Sequence, residues 1–294
     1  MKVRETTSDR IVRWVIYIIL TAFAFLCLYP LYVIIISSFS DPGAVAQGKV
    51  TIIPVDLTLD AYIEAFRTDD ILIGYRNSLF YTIVGTVINM LLTIPAAYAL
   101  SHPKVKCRGI VMKMIVFTMY FSGGLVPGFI LMRSLKLTNT IWAVLLTGAV
   151  SASNLIIARS FFMSGVPREL EEAAEIDGCN PLQTFLQIVL PLSKAMLSVI
   201  LLYYAVARWN NYTSSLYYQP SASHLYSLQM VLRNFIQRAN VAAMQGTEAA
   251  EYYAQVIAQL RYSVIVIASV PLLIIYPFIQ KYFEKGVMLG SVKG

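Results

Sequence analysis

Residues 167–191 read PRELEEAAEIDGCNPLQTFLQIVLP, and this stretch predicts two short helices joined by a tight turn. Glutamates fill the first turn of the first helix, where the partial positive charge of the helix dipole favours them. Asp177-Gly178 then ends that helix, because glycine tolerates the left-handed conformation found at helix C-termini. Asn180-Pro181 starts the second helix as an N-cap and a first helical position.

Each of the two helices carries a predicted apolar face. In the first, Leu170, Ala173 and Ala174 recur at helical spacing and form a small apolar surface. The second repeats large apolar residues at the spacing of a helix with one buried side, namely Leu182, Phe185, Leu186, Val189 and Leu190. A proline at 191 closes this helix.

The first helix is acidic, and its charge bears on what it contacts. Glutamates and Asp177 outnumber Arg168 between residues 168 and 177. An amphipathic helix that lies on a membrane surface carries Lys and Arg on its polar face, because these attract anionic headgroups. The acidic composition therefore favours docking on a basic protein partner over binding to lipid.

The sequence on either side of this stretch is typical of a membrane protein. Of the 294 residues, 57% are hydrophobic and 13% are charged, whereas soluble domains carry about 25% charged residues. A membrane-crossing helix needs about 20 mostly apolar residues. Six windows meet this need, namely 14–36, 78–100, 110–131, 140–158, 195–213 and 263–283. We therefore predict an all-α integral membrane protein with six transmembrane helices.

Lysine and arginine set the predicted orientation. They concentrate in the N-terminal segment 1–13 and in the other loops on the same side of the membrane. Because positively charged loops stay in the cytoplasm, both termini are expected there. The transmembrane domain is then 14–283, with a cytoplasmic loop at 159–194, external loops at 37–77 and 214–262, and a cytoplasmic tail at 284–294. Within the third window, Gly123-Gly124 are expected to weaken the helix.

The chain lacks the residue patterns of an enzyme or of a nucleic-acid-binding protein. Its net charge of +7 comes from scattered residues and not from a basic block. No His, Cys and carboxylate cluster has the spacing of a metal site. Residues 43–50 (GAVAQGKV) resemble a phosphate-binding loop, but Val50 stands where such a loop needs Ser or Thr. We expect no catalytic residue, metal site or cofactor on the chain, and no nucleic-acid partner.

One motif within the opening stretch is specific. The triplet 172–174 (EAA) is followed after three residues by Gly178, and after nine more by 188–191 (IVLP). This resembles the EAA loop, EAA-x3-G-x9-I-x-L-P, of permease subunits of binding-protein-dependent ABC importers, and every fixed position matches. The resemblance implies the type I ABC importer permease fold and a location in the bacterial cytoplasmic membrane.

Further segments are similar to the carbohydrate-uptake, maltose-type branch of these permeases. They are Asn77-Ser78, Ala97-Tyr98-Ala99-Leu100, Trp209-Asn210 and the glycine-rich tail. The tail and the long last external loop suggest the subgroup that handles complex oligosaccharides or polysaccharide fragments. The resemblance therefore implies a transport subunit for such sugars.

In this family the EAA loop is a coupling helix that sits in a cleft on an ATPase subunit. The residues implied in ATPase coupling are Glu172, Ala173, Ala174, Asp177, Gly178, Ile188, Leu190 and Pro191. Glu172 would meet basic residues of the ATPase, and Gly178 would form the bend between the helices. The second helix would pass the movement to the fifth span and so drive alternating access.

The resemblance also implies the partners of the chain. They are a dimer of ATPase subunits that carries ATP and Mg, a second permease subunit of different sequence, an extracytoplasmic solute-binding protein, an oligosaccharide substrate and membrane lipid.

A candidate substrate pathway lies at the outer end of the fifth span. Aromatic and amide side chains suit the apolar faces and hydroxyls of sugars, and the candidates are Tyr203, Tyr204, Arg208, Trp209, Asn210, Asn211 and Tyr212. The alternative is an aromatic belt at the membrane interface, where Trp and Tyr collect. Arg208 favours the pathway, because a charge inside a membrane is costly and faces a cavity or a partner.

Other functions remain open at this point. An importer permease for a polyamine, phosphate or metal chelate would share most of these features, and a membrane scaffold without transport would share many. A secondary carrier needs ion-coupling carboxylates inside its spans, and none of the six windows contains Asp or Glu.

Overall fold

A computed structural model of the chain describes residues 7–243 and 259–274, and these residues form helices and loops without strands. The helices in the first half are α1 Thr7–Ser38, α2 Pro42–Ala46, α3 Asp60–Arg67, α4 Asp69–Ser101, α5 Arg108–Tyr120, α6 Leu125–Ser134 and α7 Ile141–Leu146. Those in the second half are α8 Ala152–Ser164, α9 Arg168–Ile176, α10 Pro181–Leu192, α11 Lys194–Trp209, α12 Thr213–Tyr218, α13 Leu228–Ala243 and α14 Gln259–Ile274.

The chain divides into two compact units, and the first comprises the described parts of 1–68 and 232–269. Asp41 starts α2 by accepting a hydrogen bond from the backbone nitrogen of Ala44 at 3.0 Å. The side-chain amide of Gln259 donates to the carbonyl oxygen of Ser40 at 2.6 Å, which ties α14 to the end of α1. The most apolar stretch of α1 has none of its residues buried, as expected of a surface that faces lipid or a partner chain.

The second unit comprises the described parts of 69–231 and 270–294, and its core lies between α4, α8 and α11. Ala97 and Ala158 are fully buried where α4 and α8 pack together, because small side chains let two helices approach closely. Ile200 of α11 is also fully buried in this core. The unit contains the whole of the predicted coupling loop and all candidate pathway residues.

Two described helices, α1 and α4, are long and apolar enough to cross a membrane. Two bent pairs also qualify if each pair counts as one span: α5 with α6, bent by 117°, and α10 with α11, bent by 85°. The predicted spans 14–36 and 78–100 lie within α1 and α4. The sixth predicted span is described only as far as Ile274, and the tail 284–294 lies outside the described residues.

The predicted span 110–131 is wrong as a single helix. Helix α5 ends at Tyr120 and α6 begins at Leu125. Gly124 is the physical reason, because its φ of +83° and ψ of 178° lie in a region that glycine alone occupies without strain. The glycine pair expected to weaken this helix therefore contains the residue at which the chain changes direction.

The predicted span 140–158 is also wrong as a single helix. Helix α7 ends at Leu146, Gly148 takes a φ of +68°, and α8 starts only at Ala152. Because α8 continues to Ser164, the connection to α9 begins at Gly165 and not at residue 159. The helix predicted at 195–213 is shorter than expected, since α11 ends at Trp209.

Candidate functional site

The outward face of α9 combines a carboxylate with small and apolar side chains. Glu172 and Ala173 are exposed, and the Glu172 carboxylate makes no hydrogen bond or ion pair with the residues that the structure describes. Ile176 lies one turn further along the same face and is 86% exposed. An apolar side chain beside a carboxylate is suited to anchoring in a partner's pocket. Ile176 was not among the predicted coupling residues, although its position four residues after Glu172 indicates this face.

The three residues of the apolar face predicted for α9 differ in burial. Of its three residues only Ala174 is buried, at 4% exposure, whereas Leu170 and Ala173 are exposed. The side of the helix next to Ala174 carries Glu171, whose side chain is 13% exposed, and Glu175, whose side chain is 64% exposed. These three residues share a face because neighbours on a helix surface are three or four positions apart.

Glu175 forms an ion pair with Lys104. The ammonium Nζ lies 2.6 Å from Oε2 and 2.8 Å from Oε1 of the carboxylate. These hydrogen bonds, and the attraction of the Lys104 charge, lower the pKa of Glu175 below its ordinary value. The pair is therefore complete near neutral pH and is lost as the pH falls through the lowered value. Both side chains are well exposed, so salt screens the interaction.

The turn between α9 and α10 confirms the local prediction. Gly178 has a φ of +85°, in the left-handed region that ends helices. Asn180 caps α10 by accepting a hydrogen bond from the backbone nitrogen of Gln183 at 2.8 Å. The side chain of Gln183 accepts in return from the backbone nitrogen of Asn180 at 2.9 Å, which completes a capping box. The end of α9 and the start of α10 are thus each determined by local conformation and bonds.

The apolar face predicted for α10 is correct only in part. Phe185 and Val189 are buried, at 7% and 0% exposure, but Leu182 and Leu186 are 64% and 51% exposed. The ring of Tyr98 stacks on Phe185 with centroids 4.9 Å apart. This contact fixes which side of α10 faces the bundle, and the two leucines consequently lie on the outer side.

The end of α10 is irregular. Residues Phe185–Val189 form a π turn, and Pro191 removes a backbone donor just beyond it. The Ser193 hydroxyl donates to the carbonyl oxygen of Val189 at 2.7 Å. The chain then bends by 85° into α11. The remaining residues of the motif lie here, with Ile188 and Leu190 half-buried and Pro191 exposed.

Three of the candidate pathway residues lie in the interior of the second unit, and each of them makes a specific contact with α4. Tyr204 is 2% exposed, its hydroxyl lies 2.6 Å from the Thr93 hydroxyl, and it accepts a hydrogen bond from the backbone nitrogen of Ser151. Trp209 is also 2% exposed, and its ring lies edge-on to Tyr75 at 5.8 Å. These two side chains pack helices together.

Arg208 is the third, with 5% exposure and four hydrogen bonds. Its Nη1 donates to the carbonyl oxygens of Val144 at 2.6 Å and Thr147 at 3.1 Å. Its Nη2 donates to the carbonyl oxygen of Leu145 at 2.9 Å and to Oδ1 of Asn89 at 2.7 Å. The last carbonyls of a helix have no partner within the helix and carry partial negative charge. Arg208 therefore caps the C-terminal end of α7.

Gly85 of α4 leaves room for this guanidinium. A Cβ atom at Gly85 would lie 2.9 Å from Nε and 3.0 Å from Cδ of Arg208. Real side chains do not approach so closely, so the position of Arg208 depends on the absence of a side chain at residue 85.

The other candidate pathway residues lie at the surface. Tyr203 and Tyr212 are 43% and 40% exposed, and Asn210 is exposed at the end of α11. Asn211 is half-buried and donates from its amide to the Ser214 hydroxyl at 3.0 Å. The structure thus separates the seven residues into a packed interior group and an exposed group.

The chain is similar to known proteins over nearly its whole length. The family described as "Binding-protein-dependent transport system inner membrane component" matches residues 71–289. A polygalacturonan/rhamnogalacturonan transport system permease protein of Bacillus subtilis (strain 168) is 41% identical over 98% of this chain and 100% of its own. An arabinooligosaccharides transport system permease protein of Halalkalibacterium halodurans is 30% identical over 98% of this chain and 99% of its own.

A solved structure is similar over the same extent. It is the crystal structure of a bacterial ABC transporter involved in the import of the acidic polysaccharide alginate. One of its chains superposes with a TM-score of 0.85 at 32% sequence identity, and the match covers 96% of this chain and 100% of that chain.

Proposed function

Because this chain belongs to the family of binding-protein-dependent transport system inner membrane components, we propose that it forms half of a translocation pathway for oligosaccharides or polysaccharide fragments. It is a membrane-embedded permease subunit of an ABC importer and not an enzyme. The observation that carries the choice of solute is the 41% identity, over 98% of this chain and 100% of the relative, with a permease for polygalacturonan and rhamnogalacturonan.

The outward face of α9 is the proposed docking site for the ATPase. Glu172 supplies a carboxylate for basic residues of the partner, Ala173 allows close approach, and Ile176 supplies an apolar anchor. The other motif residues would shape this element through the buried packing of α9, the turn after it and the end of α10, namely Ala174, Asp177, Gly178, Ile188, Leu190 and Pro191. Two ATPase subunits, which would hold ATP and Mg, would move the docked helices as they close.

The remaining partners follow from the same class of transporter. A second permease subunit of different sequence would complete the pathway, and a solute-binding protein would deliver the sugar from outside. ATP-driven closure would then change the relative stability of inward-facing and outward-facing states.

The proposed sugar contacts are exposed residues in the second half of α11 and just beyond its end. Tyr203, Asn210 and Tyr212 present rings and an amide, which suit the apolar faces and hydroxyls of a sugar chain. Tyr204, Arg208 and Trp209 would support this surface from behind, and Asn211 would lie at its edge.

The docking proposal is tested by purifying the tagged chain from its native membranes in mild detergent. We expect the wild-type chain to bring down an ATPase, a second permease and a solute-binding protein. Glu172→Lys should lose the ATPase by more than tenfold and keep the second permease, because it places a like charge against the basic cleft. Glu64→Lys is the matched control, since it makes the same charge change at an exposed position of α3, in the predicted external loop. Recovery of an intact wild-type chain without any ATPase would contradict the proposal.

The choice of solute is tested on the co-purified binding protein. Its thermal unfolding is measured with oligogalacturonides, arabino-oligosaccharides, polyamines, phosphate and metal chelates. A rise in midpoint with an oligosaccharide alone supports sugar uptake. A rise with a polyamine, phosphate or chelate alone would replace sugar by that solute.

A further inference from the structure

The C-terminal end of α4 is bonded to the inner face of α9. The Tyr98 hydroxyl donates to Oε2 of Glu171 at 2.7 Å, and the Glu171 side chain is only 13% exposed. Lys104, just beyond the end of α4, holds Glu175 on the next turn of α9. His102 also faces Glu171, with Nε2 3.8 Å from the carboxylate. Two successive turns of α9 are therefore attached to one end of α4.

The Tyr98 ring is fixed from two other helices. It stacks on Phe185 of α10 and lies edge-on to Phe162 of α8 at 5.7 Å. Because aromatic contacts on both sides restrict the ring, its hydroxyl points at Glu171 in one direction. Tyr98 belongs to the segment 97–100, which is similar to the carbohydrate-uptake branch of these permeases. Its contacts with Phe185, Phe162 and Glu171 give this tyrosine a structural role.

Three guanidinium groups lie at the last carbonyls of α4. Arg159 of α8 donates to the carbonyl oxygen of Leu100 at 3.0 Å. Arg108 of α5 and Arg168 of α9 each donate to the carbonyl oxygen of Ser101 at 3.4 Å. Cations at a helix C-terminus are favourable because the carbonyls there carry partial negative charge. Arg168 adds a further bond between α9 and α4.

The other end of α4 holds the segment 219–228. Three side chains of α4 make hydrogen bonds of 2.8–3.0 Å to the backbone of this segment. Asn77 donates to the carbonyl oxygens of His224 and Tyr226. Tyr81 donates to the carbonyl oxygen of Leu225, and Ser78 accepts from the nitrogen of Leu228. Asn77 and Tyr98 are separated by about 30 Å along one helix, at about 1.5 Å per residue. Helix α4 is continuous over this distance, whereas the route through α10 to α11 bends by 85°.

We infer that Tyr98 and Lys104 are positioning residues that keep α9 attached to α4 throughout the transport cycle, so that α4 carries the displacement of α9 to the segment 219–228. This inference rests on the proposed role of α9 as the ATPase dock. Movement of the docked helix then reaches the opposite end of α4 directly, in addition to the route through the fifth predicted span. A link of this kind is established by measured coupling between the two ends of α4 and not by contact alone.

The first experiment locks the contact. Lys104→Cys and Glu175→Cys are combined in a chain whose Cys27, Cys107 and Cys179 are replaced by serine, and the complete importer is reconstituted in liposomes. A short, cleavable bifunctional thiol reagent then joins the two positions. We expect the joined importer to keep at least half of its transport and of its ATP hydrolysis stimulated by the binding protein. A tenfold loss on joining, reversed on cleavage, would show that the contact must open and would overturn the inference.

The second experiment loosens the contact. Tyr98→Phe removes one hydroxyl, and we expect the stimulation of ATP hydrolysis by the binding protein to fall at least threefold while the ATPase co-purifies in the wild-type ratio. Tyr120→Phe is the matched control, because Tyr120 is 79% exposed and should leave stimulation unchanged. Stimulation at the wild-type level in Tyr98→Phe would overturn the inference.

A charge exchange separates a specific contact from a general loss of stability. Lys104→Glu and Glu175→Lys should each lower the stimulation, and the two together should restore it. If the double variant is no better than the single ones, Lys104 is not a positioning residue. Because recovery of the ATPase is measured in each preparation, failure of the docking proposal is recognised separately by its absence from the wild-type complex.

Discussion

At the scale of the residue, Arg208 shows how a buried cation is stabilised without a carboxylate. Its guanidinium bonds to three carbonyl oxygens at the end of α7 and to the side chain of Asn89. The sequence indicated that an intramembrane charge must face a cavity or a partner, and the structure shows a helix end as that partner. The partner was not predictable, because Val144, Leu145 and Thr147 offer backbone atoms, whose arrangement depends on where α7 ends.

Removal of this cation should destabilise the protein strongly. Arg208→Met leaves several buried acceptors without donors, each worth about 1–3 kcal/mol, so a loss of about 3–5 kcal/mol is expected. The measurement is the free energy or midpoint of unfolding in detergent. Lys194→Met, at an exposed position of the same helix, is the control and should change little. An unchanged midpoint for Arg208→Met would mean that these bonds do not support the fold.

The stability of the protein should be sensitive to the addition of a single methyl group at Gly85. Gly85→Ala forces the guanidinium of Arg208 from its four bonds or shifts α4, and a loss of about 1–3 kcal/mol is expected. Gly109→Ala is the matched control, because a Cβ there meets nothing within 4 Å and alanine favours the helix. In combination with Arg208→Met, the effect of Gly85→Ala should largely disappear. Additive effects of the two changes would contradict this account.

At the scale of the element, the sequence correctly predicted those helix ends that depend on hydrogen bonds between neighbouring residues. The left-handed Gly178 and the cap at Asn180 were correctly placed, because both depend on residues within one turn. The breaks after Tyr120 and Leu146 were not predicted as ends of helices, since a hydropathy window measures apolar character and not backbone conformation. The orientation of α9 depends on the bonds of Glu171 and Arg168 to α4, which a helical pattern alone does not specify.

The break between α5 and α6 should depend on Gly124 and less on its neighbour Gly123. Gly124→Ala places a side chain in a conformation that costs about 1–3 kcal/mol, so the unfolding midpoint in detergent should fall. Gly123→Ala should have a smaller effect, because its Cβ would meet only Pro127 at an ordinary 3.9 Å. Equal effects of the two substitutions would show that the bend does not depend on the conformation of residue 124.

At the scale of the whole molecule, the family and helical class were predictable from the motif and the composition. The number of crossings remains a prediction, as the described residues contain two to four candidate spans. Native cysteines test the orientation directly, because Cys107 lies between the second and third predicted spans and Cys179 lies in the loop 159–194, both on the predicted cytoplasmic side. A membrane-impermeant maleimide should label them in inverted vesicles and not in right-side-out vesicles.

A cysteine introduced on the predicted external side serves as the control for the same labelling experiment. Lys49→Cys lies in the predicted external loop at an exposed position, so it should react in right-side-out vesicles only. Labelling of Cys107 or Cys179 from outside would reverse the orientation and would place the proposed ATPase dock on the wrong side of the membrane.

The capping of α7 by Arg208 also has a consequence for biosynthesis. Val144 and Arg208 are 64 residues apart, so α7 leaves the ribosome well before the side chain that completes it. At about 5–20 residues per second, the interval is roughly 3–13 s. During this time the carbonyls at the end of α7 have no guanidinium to bind. The nascent chain must therefore keep this short helix in the translocon or in contact with water until α11 has been synthesised, and a stall between the two would expose an incomplete membrane segment to quality control.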